Sequence, residues 1–357
     1  MPNIIDYLKW RGDLSLEINP INEVDNIILS RFSYLPFQDI YLEPNENIKS
    51  IAKKMKIVPK TNFVWEHDKE FIEELAKTRR FKNLIVSDYV QKLDLDTETQ
   101  FGAITIWLPN NEKYISFEGT DMSLVGWKED FNMTFMTNIP SQLEAVKYLE
   151  KIADKYPSNF RIGGHSKGGN LAVYASIYCK DEVKSRIIDV LNADGPGFNK
   201  DTIQDERYKK IVDKINTYIP QTSIIGRFLE HEEKYNIVES KQKGILQHDI
   251  YSWQVDVTKL KKISELTNES EMVNKIVKDW LNNTTPEQRK QFVDTLYQII
   301  SKTESKTVLD LSNQWLRNIK KVVETYKNMS EADKKQLEQM IKLTLTSISD
   351  TLRKNKK

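Results

Sequence analysis

One cysteine in 357 residues, Cys179, excludes an intrachain disulfide and any zinc site built on cysteine. It falls on a helical pattern, where a buried structural thiol is expected. Histidine is nearly as scarce: His67, His165, His231 and His248 are all there are. Glycine and proline number 12 and 11, too few for a low-complexity or collagen-like chain. Charge of one sign is missing, because 53 basic and 52 acidic residues leave a formal +1. That balance argues against nucleic acid as a partner. No run of about 18 apolar residues occurs, so no integral membrane association is expected. The first residues, Met1 to Arg11, carry no apolar stretch of signal-peptide length, and a cytoplasmic location is the expectation. No cofactor motif and no metal-ligand cluster is recognised.

What is present is a change of period along the chain. Residues 1–80 read as helical, with Val24, Ile27, Ile28, Phe32 and Leu35 on one stripe ending before Pro36. Around Leu84 the pattern turns to strands. Leu84 to Val90, Phe101 to Leu108 and Lys113 to Phe117 are expected to be antiparallel, the last two joined by Pro109-Asn110-Asn111. Ile187 to Asn192, Lys214 to Ile219, Asn236 to Ser240 and Tyr251 to Val255 are further strand candidates. Strands alternating with helices indicate an α/β sheet, parallel at its centre. From residue 258 only helical stripes remain: Glu269 to Leu281, a helix opened by Thr285-Pro286-Glu287-Gln288, Val308 to Tyr326, and one starting at Ser330. The expected organisation is an N-terminal helical segment (1–80), an α/β core (81–257) and a C-terminal helical appendage (258–357). The appendage could serve as a surface for a protein partner.

The densest signal is Gly164-His165-Ser166-Lys167-Gly168. It sits between a short strand, Ser158 to Ile162, and a helix beginning near Asn170. Ahead of the strand, Ser141 and Glu144 suggest a capping box opening another helix. Gly-x-Ser-x-Gly between strand and helix resembles the nucleophile elbow of α/β-hydrolases. The turn lifts the serine hydroxyl off the sheet, and its glycines let strand and helix approach closely. The alternative is a tight turn whose serine is merely small and polar.

Two further segments extend the likeness. Phe117-Glu118-Gly119-Thr120 followed by Trp127-Lys128-Glu129-Asp130 resembles the oxyanion-hole segment and later Trp-x-x-Asp of fungal-type (class 3) lipases. Lys167 and Asn170 depart from the elbow of those enzymes. The full run Gly164-His165-Ser166-Lys167-Gly168-Gly169-Asn170-Leu171-Ala172 is similar to that of an uncharacterised bacterial family regarded as α/β-hydrolase-like. The resemblance implies an α/β-hydrolase-like central sheet and a serine hydrolase, an esterase or thioesterase acting on a small acyl ester. A binding protein without catalysis, or an acyltransferase using the same residues, is the alternative.

Acyl transfer by serine needs a base and an acid that orients it. In chain order the base should follow Ser166, which leaves His231 and His248. His248, in the loop 241–249 after a strand, is favoured. In the lipase pattern the acid would fall within Ile219 to Gly226, where no carboxylate occurs. Asp194, ending the strand before Gly195-Pro196, is the substitute, with an Asx-turn residue as the other reading. Oxyanion donors are expected from the backbone of Lys167 and of Gly119 or Thr120, with Asp121 as a further possibility. Asp121, Trp127 and Phe135 are candidates for substrate contact. The Lys167 side chain could reach solvent or pair with Asp121. The short stretch after Phe131 suggests no long lid, so soluble esters should be better substrates than emulsified lipid.

Overall fold

The computed structural model describes residues 2–121 and 123–301, together with 323–329, 331, 334, 335, 337–339, 341 and 342. It is a mixed α/β structure with a large central sheet flanked by helices. In chain order come α1 (Ile4–Arg11), α2 (Glu23–Phe32), β1 (Glu46–Asn47), α3 (Ile48–Met55) and α4 (Asp68–Leu75). Next are β2 (Ile85–Asp94), β3 (Thr99–Trp107), β4 (Glu112–Phe117), α5 (Leu124–Asn132), α6 (Pro140–Lys155), β5 (Asn159–His165) and α7 (Lys167–Tyr178). Then follow α8 (Asp181–Ser185), β6 (Ile187–Ala193), α9 (Lys200–Gln204), α10 (Glu206–Lys209), β7 (Ile215–Pro220) and β8 (Tyr235–Val238). The short β9 (Val255–Asp256), β10 (Lys259–Leu260) and β11 (Lys262–Ile263) precede α11 (Asn268–Asn282) and α12 (Pro286–Ser301). Two compact units divide the chain: residues 1–92, 101–119 and 140–267 form the first, and 93–100, 120–139 and those from 268 on form the second.

The sheet of the first unit runs β1-β2-β3-β4-β5-β6-β7-β8-β11. Strands β4 to β8 are parallel neighbours, and β3 and β11 add antiparallel edges to that centre. Sequential parallel strands with right-handed crossovers place their connecting helices on one face. That face is packed by Ala145, Leu149 and Ile152 of α6 and Leu171, Val173 and Ala175 of α7 over Ile115, Ile162 and Val190. The opposite face is covered by Val24, Ile27 and Ile28 of α2 with α1, α3, α4 and the segment Ile250 to Leu260. Strand alternation supplies both sides: Ala103 joins the first core, and Ile104 and Ile106 the second. Polar sheet residues bond α2 directly, Tyr114 to the carbonyl of Asn26 at 3.0 Å and Ser116 to that of Leu29 at 2.9 Å.

Local signals act as sequence chemistry requires. Asn110 and Asn111 turn between β3 and β4 with φ of 59° and 58°, a pair of left-handed residues that suits a tight hairpin. Asn22 caps α2 and Asp25 closes the capping box. Three expectations are corrected. The helix before the elbow starts at Pro140, so Ser141 is inside its first turn and is not its N-cap; proline at the first position needs no N–H partner. Tyr251 to Val255 is not one strand: Ile250–Ser252 form a 3₁₀ turn, fixed by the Asp249 carboxylate accepting the Tyr251 N–H at 3.0 Å, and only Val255 enters a strand, the short β9. The α2 stripe stops at Phe32, short of Leu35.

In the second unit, Thr285 and Gln288 cap α12 reciprocally at 2.9 and 3.3 Å. Arg289 reaches the carbonyls of Thr134, Leu281 and Thr284, and Lys128 pairs with Glu98 and Asp294. The helices expected over Val308 to Tyr326 and from Ser330 lie largely outside the described residues.

A buried ion pair anchors the N-terminal helices. Arg80 pairs with Asp25, both side chains being fully buried, and bonds the carbonyls of Leu14, Asn19 and Pro20. Tyr7 also donates to Asp25 at 2.9 Å. Removing one charge leaves the other buried and unpaired. Asp25→Asn should therefore lower stability by about 3–5 kcal/mol in urea unfolding. A loss below about 1 kcal/mol would show that the pair does not hold these helices.

Candidate active site

Ser166 stands between β5 and α7 with φ 58° and ψ −132°, a backbone region that a side chain normally avoids. Two glycines permit the turn. A Cβ on Gly164 would meet the Gly168 backbone at 2.1 Å, and one on Gly168 would meet the Phe117 carbonyl oxygen at 2.3 Å. The end of β4 thus lies against the start of α7, bringing Gly119 beside Gly168. Ser166 is half-buried and makes no side-chain cap to α7. Its N–H donates to the carbonyl of Ala193, at the end of β6, at 2.9 Å.

The next residue, Asp194, has φ 50° and is buried. Its Oδ2 lies 2.6 Å from His248 Nδ1, while Oδ1 accepts the Ser223 hydroxyl at 2.5 Å and the Gly226 N–H at 3.1 Å. The stretch from Ile219 to Gly226, which has no carboxylate, instead supplies two donors to this one. The Asx-type bond in this loop comes from Asn192, which accepts the Gly195 N–H at 3.0 Å. Asn170 clamps the same loop, donating to the carbonyls of Pro196 and Gly197 at 3.1 and 3.0 Å and accepting from Gln142 at 2.7 Å. This departure from the lipase elbow holds the loop that carries Asp194.

His231 is engaged elsewhere. Its Nδ1 lies 3.0 Å from Glu233, which also accepts the hydroxyls of Tyr208 and Thr217. Lys167 is 1 % exposed, so its ammonium does not reach solvent. Thr120, Asp121, Trp127 and Phe135 belong to the second unit. There Thr120 donates to Asp130 at 2.5 Å, Asp121 accepts the Ser123 N–H at 2.8 Å, and Trp127 packs on Phe131 at 4.6 Å. Phe135 is half-buried. Cys179, the C-cap of α7, is buried, and burial pushes its thiol up to about 11.

Several residues at the site carried no sequence signal. His165 is buried, and its ring lies 4.4 Å from that of His248. Tyr34 bonds the His165 carbonyl at 3.0 Å. Arg31 lies over the Tyr34 ring at 4.1 Å and pairs with buried Asp68, which also accepts Tyr251 at 2.7 Å. One clue was available, a charged Arg31 within the apolar stripe of α2.

The model of the Mbeg1-like family matches residues 75–298, more than half of the sequence. The chain belongs to the Mbeg1-like family. Among curated proteins no sequence matches it. Two solved structures are similar at low identity. The M37 lipase structure shares 18 % identity at a TM-score of 0.37, covering 57 % of this chain and 68 % of that one. A mutant form of MDLA from Penicillium cyclopium shares 13 % at 0.41, covering 69 % and 88 %. This Mbeg1-like chain has no helix among the described residues long and apolar enough to cross a membrane, and they hold no metal-ligand cluster.

The His231–Glu233 pair has a measurable consequence. Burial alone would raise the Glu233 carboxyl, but His231, Thr217 and Tyr208 outweigh it and hold it at about 2. A carboxyl depressed on folding stabilises the fold fully above its unfolded value, and that contribution is lost as pH falls through the folded one. The stability gap between wild type and Glu233→Gln should thus be fully open by about pH 6 and close between about pH 4.3 and 2. Urea unfolding at pH 6, 4 and 2.5 measures it; a gap constant with pH would refute the pairing.

Proposed function

We propose that the chain is a serine hydrolase cleaving a carboxylic ester or thioester, with Ser166 as nucleophile, His248 as base and Asp194 as orienting acid. The observation that carries this reading is the 2.6 Å contact between His248 Nδ1 and a carboxylate fixed by two further donors. A base held by such a carboxylate keeps its Nδ1 proton and presents Nε2 to accept another. Ser166 precedes α7, and its N–H is bonded to the carbonyl of Ala193, the residue before Asp194.

In this mechanism His248 Nε2 takes the Ser166 proton as Oγ attacks the acyl carbon. The oxyanion is met by the backbone N–H of Lys167 and by that of Gly119, which lies close to Gly168. His248 then returns the proton to the leaving alcohol or thiol. The acyl group remains on Ser166 until water, activated by the same histidine, removes it. The purely binding alternative drew support from a missing acid; the Asp194–His248 contact favours hydrolysis over it.

A fluorophosphonate probe should label the wild type and leave Ser166→Ala unmodified. Asp194→Asn should lower turnover by roughly four orders of magnitude, as loss of the orienting acid does in such systems. Labelling that persists in Ser166→Ala, or near-normal turnover in Asp194→Asn, would refute the assignment.

Substrate form gives a second test. Soluble short-chain esters or thioesters should turn over faster than emulsified long-chain triglycerides, because the stretch after Phe131 is short. Rates are read along an ester series below and above the micelle-forming concentration. A sharp rise on aggregation would overturn this expectation and leave the catalytic assignment standing.

A further inference from the structure

His165 has no part in that chemistry, yet it precedes Ser166 in the chain and its ring lies 4.4 Å from that of His248. It is 1 % exposed. Its Nε2 lies 2.8 Å from the backbone carbonyl oxygen of His248. A carbonyl oxygen only accepts, so Nε2 carries the proton. In a neutral ring Nδ1 is then an acceptor, and the Tyr34 hydroxyl stands 3.3 Å from it. That hydroxyl donates its one proton to the His165 carbonyl at 3.0 Å, so the His248 carbonyl and not Tyr34 sets the tautomer; a Cβ on Gly119 would meet the hydroxyl at 1.9 Å. Tyr34 therefore touches the strand end before Ser166, the imidazole behind the base, and Gly119.

We propose that His165 is a positioning residue: its neutral Nε2–H tautomer, fixed by donation to the His248 carbonyl, holds the His248 backbone so that the base faces Ser166. The inference rests on the Ser166, His248 and Asp194 reading. The contacts form a closed circuit. Tyr34 lies under Arg31, Arg31 pairs with Asp68, and Asp68 accepts Tyr251, three residues beyond His248. His248 is thereby fixed at its carbonyl by His165, at its ring by Asp194, and just downstream by Tyr251.

The charges facing His165 agree with a neutral ring. Burial disfavours its protonation most, followed by the positive charge that His248 takes up and that of Arg31; together they push it well below the usual histidine range. His165 thus stays uncharged when His248 accepts the serine proton. A second imidazolium stacked at 4.4 Å would oppose that transfer.

With four histidines, imidazole nitrogen NMR of the full chain can resolve each ring. His165 should report a neutral Nε2–H tautomer from pH 5 to pH 9, and an Nδ1–H tautomer or a titration near pH 6 would overturn the proposal. His165→Gln, whose amide can still donate to the His248 carbonyl, should keep probe labelling of Ser166 within about tenfold. A small displacement of a reacting group costs about a hundredfold, and His165→Leu should slow labelling by about that much. Tyr34→Phe removes the bond to the His165 carbonyl and should slow labelling to a smaller extent while leaving the Nε2–H tautomer in place. His165→Leu labelling at the wild-type rate, or a glutamine variant no better than leucine, would also overturn it. If the wild type reacts with no probe, the hydrolase reading fails, and the NMR arm decides the contact alone: the Asp194-bonded Nδ1–H of His248 should be protected in wild type and His165→Gln and exchange quickly in His165→Leu.

Discussion

A run of parallel strands laid down in chain order can hide only one face with its own crossover helices. Everything else in the first unit answers the need to cover the other. Helices α6 and α7 and the segment around Phe198 and Tyr208 close one side. The remaining face, with Ile104, Ile106, Tyr114, Leu191 and Tyr218, is closed by helices made before the sheet and a segment made after it. The N-terminal helices are thus a second wall of the core. That placement brings Arg31 and Tyr34 behind the elbow, where a helix in the crossover layer could not reach.

Bonding the two walls to the sheet brings charged groups into an apolar interior, and two arginines there are paired with carboxylates. Arg31 with Asp68 and Tyr251, and Arg80 with Asp25 and Tyr7, are buried clusters in which every charge meets its opposite. Such pairs add little net stability over apolar packing, but they are costly to break. They therefore fix which helix docks where. The first cluster ends one contact short of His165, so the packing that covers the sheet also sets the geometry around His248.

The central strands, the hairpin at Asn110 and Asn111, the capped α12 and the elbow were all legible in the sequence, because each depends on local chemistry: period, left-handed asparagines, a capping pair, two glycines. Asp194 was readable only as one of two equal options, since its contact is with His248, 54 residues away. The Arg31–Tyr34–His165 chain was not readable, because nothing near Tyr34 in sequence records that it will meet a residue 131 positions on. Tyr251 to Val255 misled for a similar reason. Its β-rich composition serves burial in the second wall, where Trp253 is fully enclosed and its indole N–H meets the Gln247 carbonyl at 2.8 Å.

The N-terminal wall is also stitched to the far end of the first unit. Val255 donates to the Pro2 carbonyl at 2.9 Å, Asn3 reaches that of Tyr251 at 2.9 Å, and Glu23 accepts the Leu260 N–H at 2.6 Å. On the ribosome these partners are separated by more than 200 residues of synthesis. At about 5–20 residues per second, α1 and α2 wait on the order of 10–50 s for the segment that completes their docking. The part of that face covered by Ile250 to Leu260 stays open during that interval. Holding it unpaired with other chains is a task for chaperones or for speed of translation, and slow-codon placement before residue 250 would lengthen the exposure.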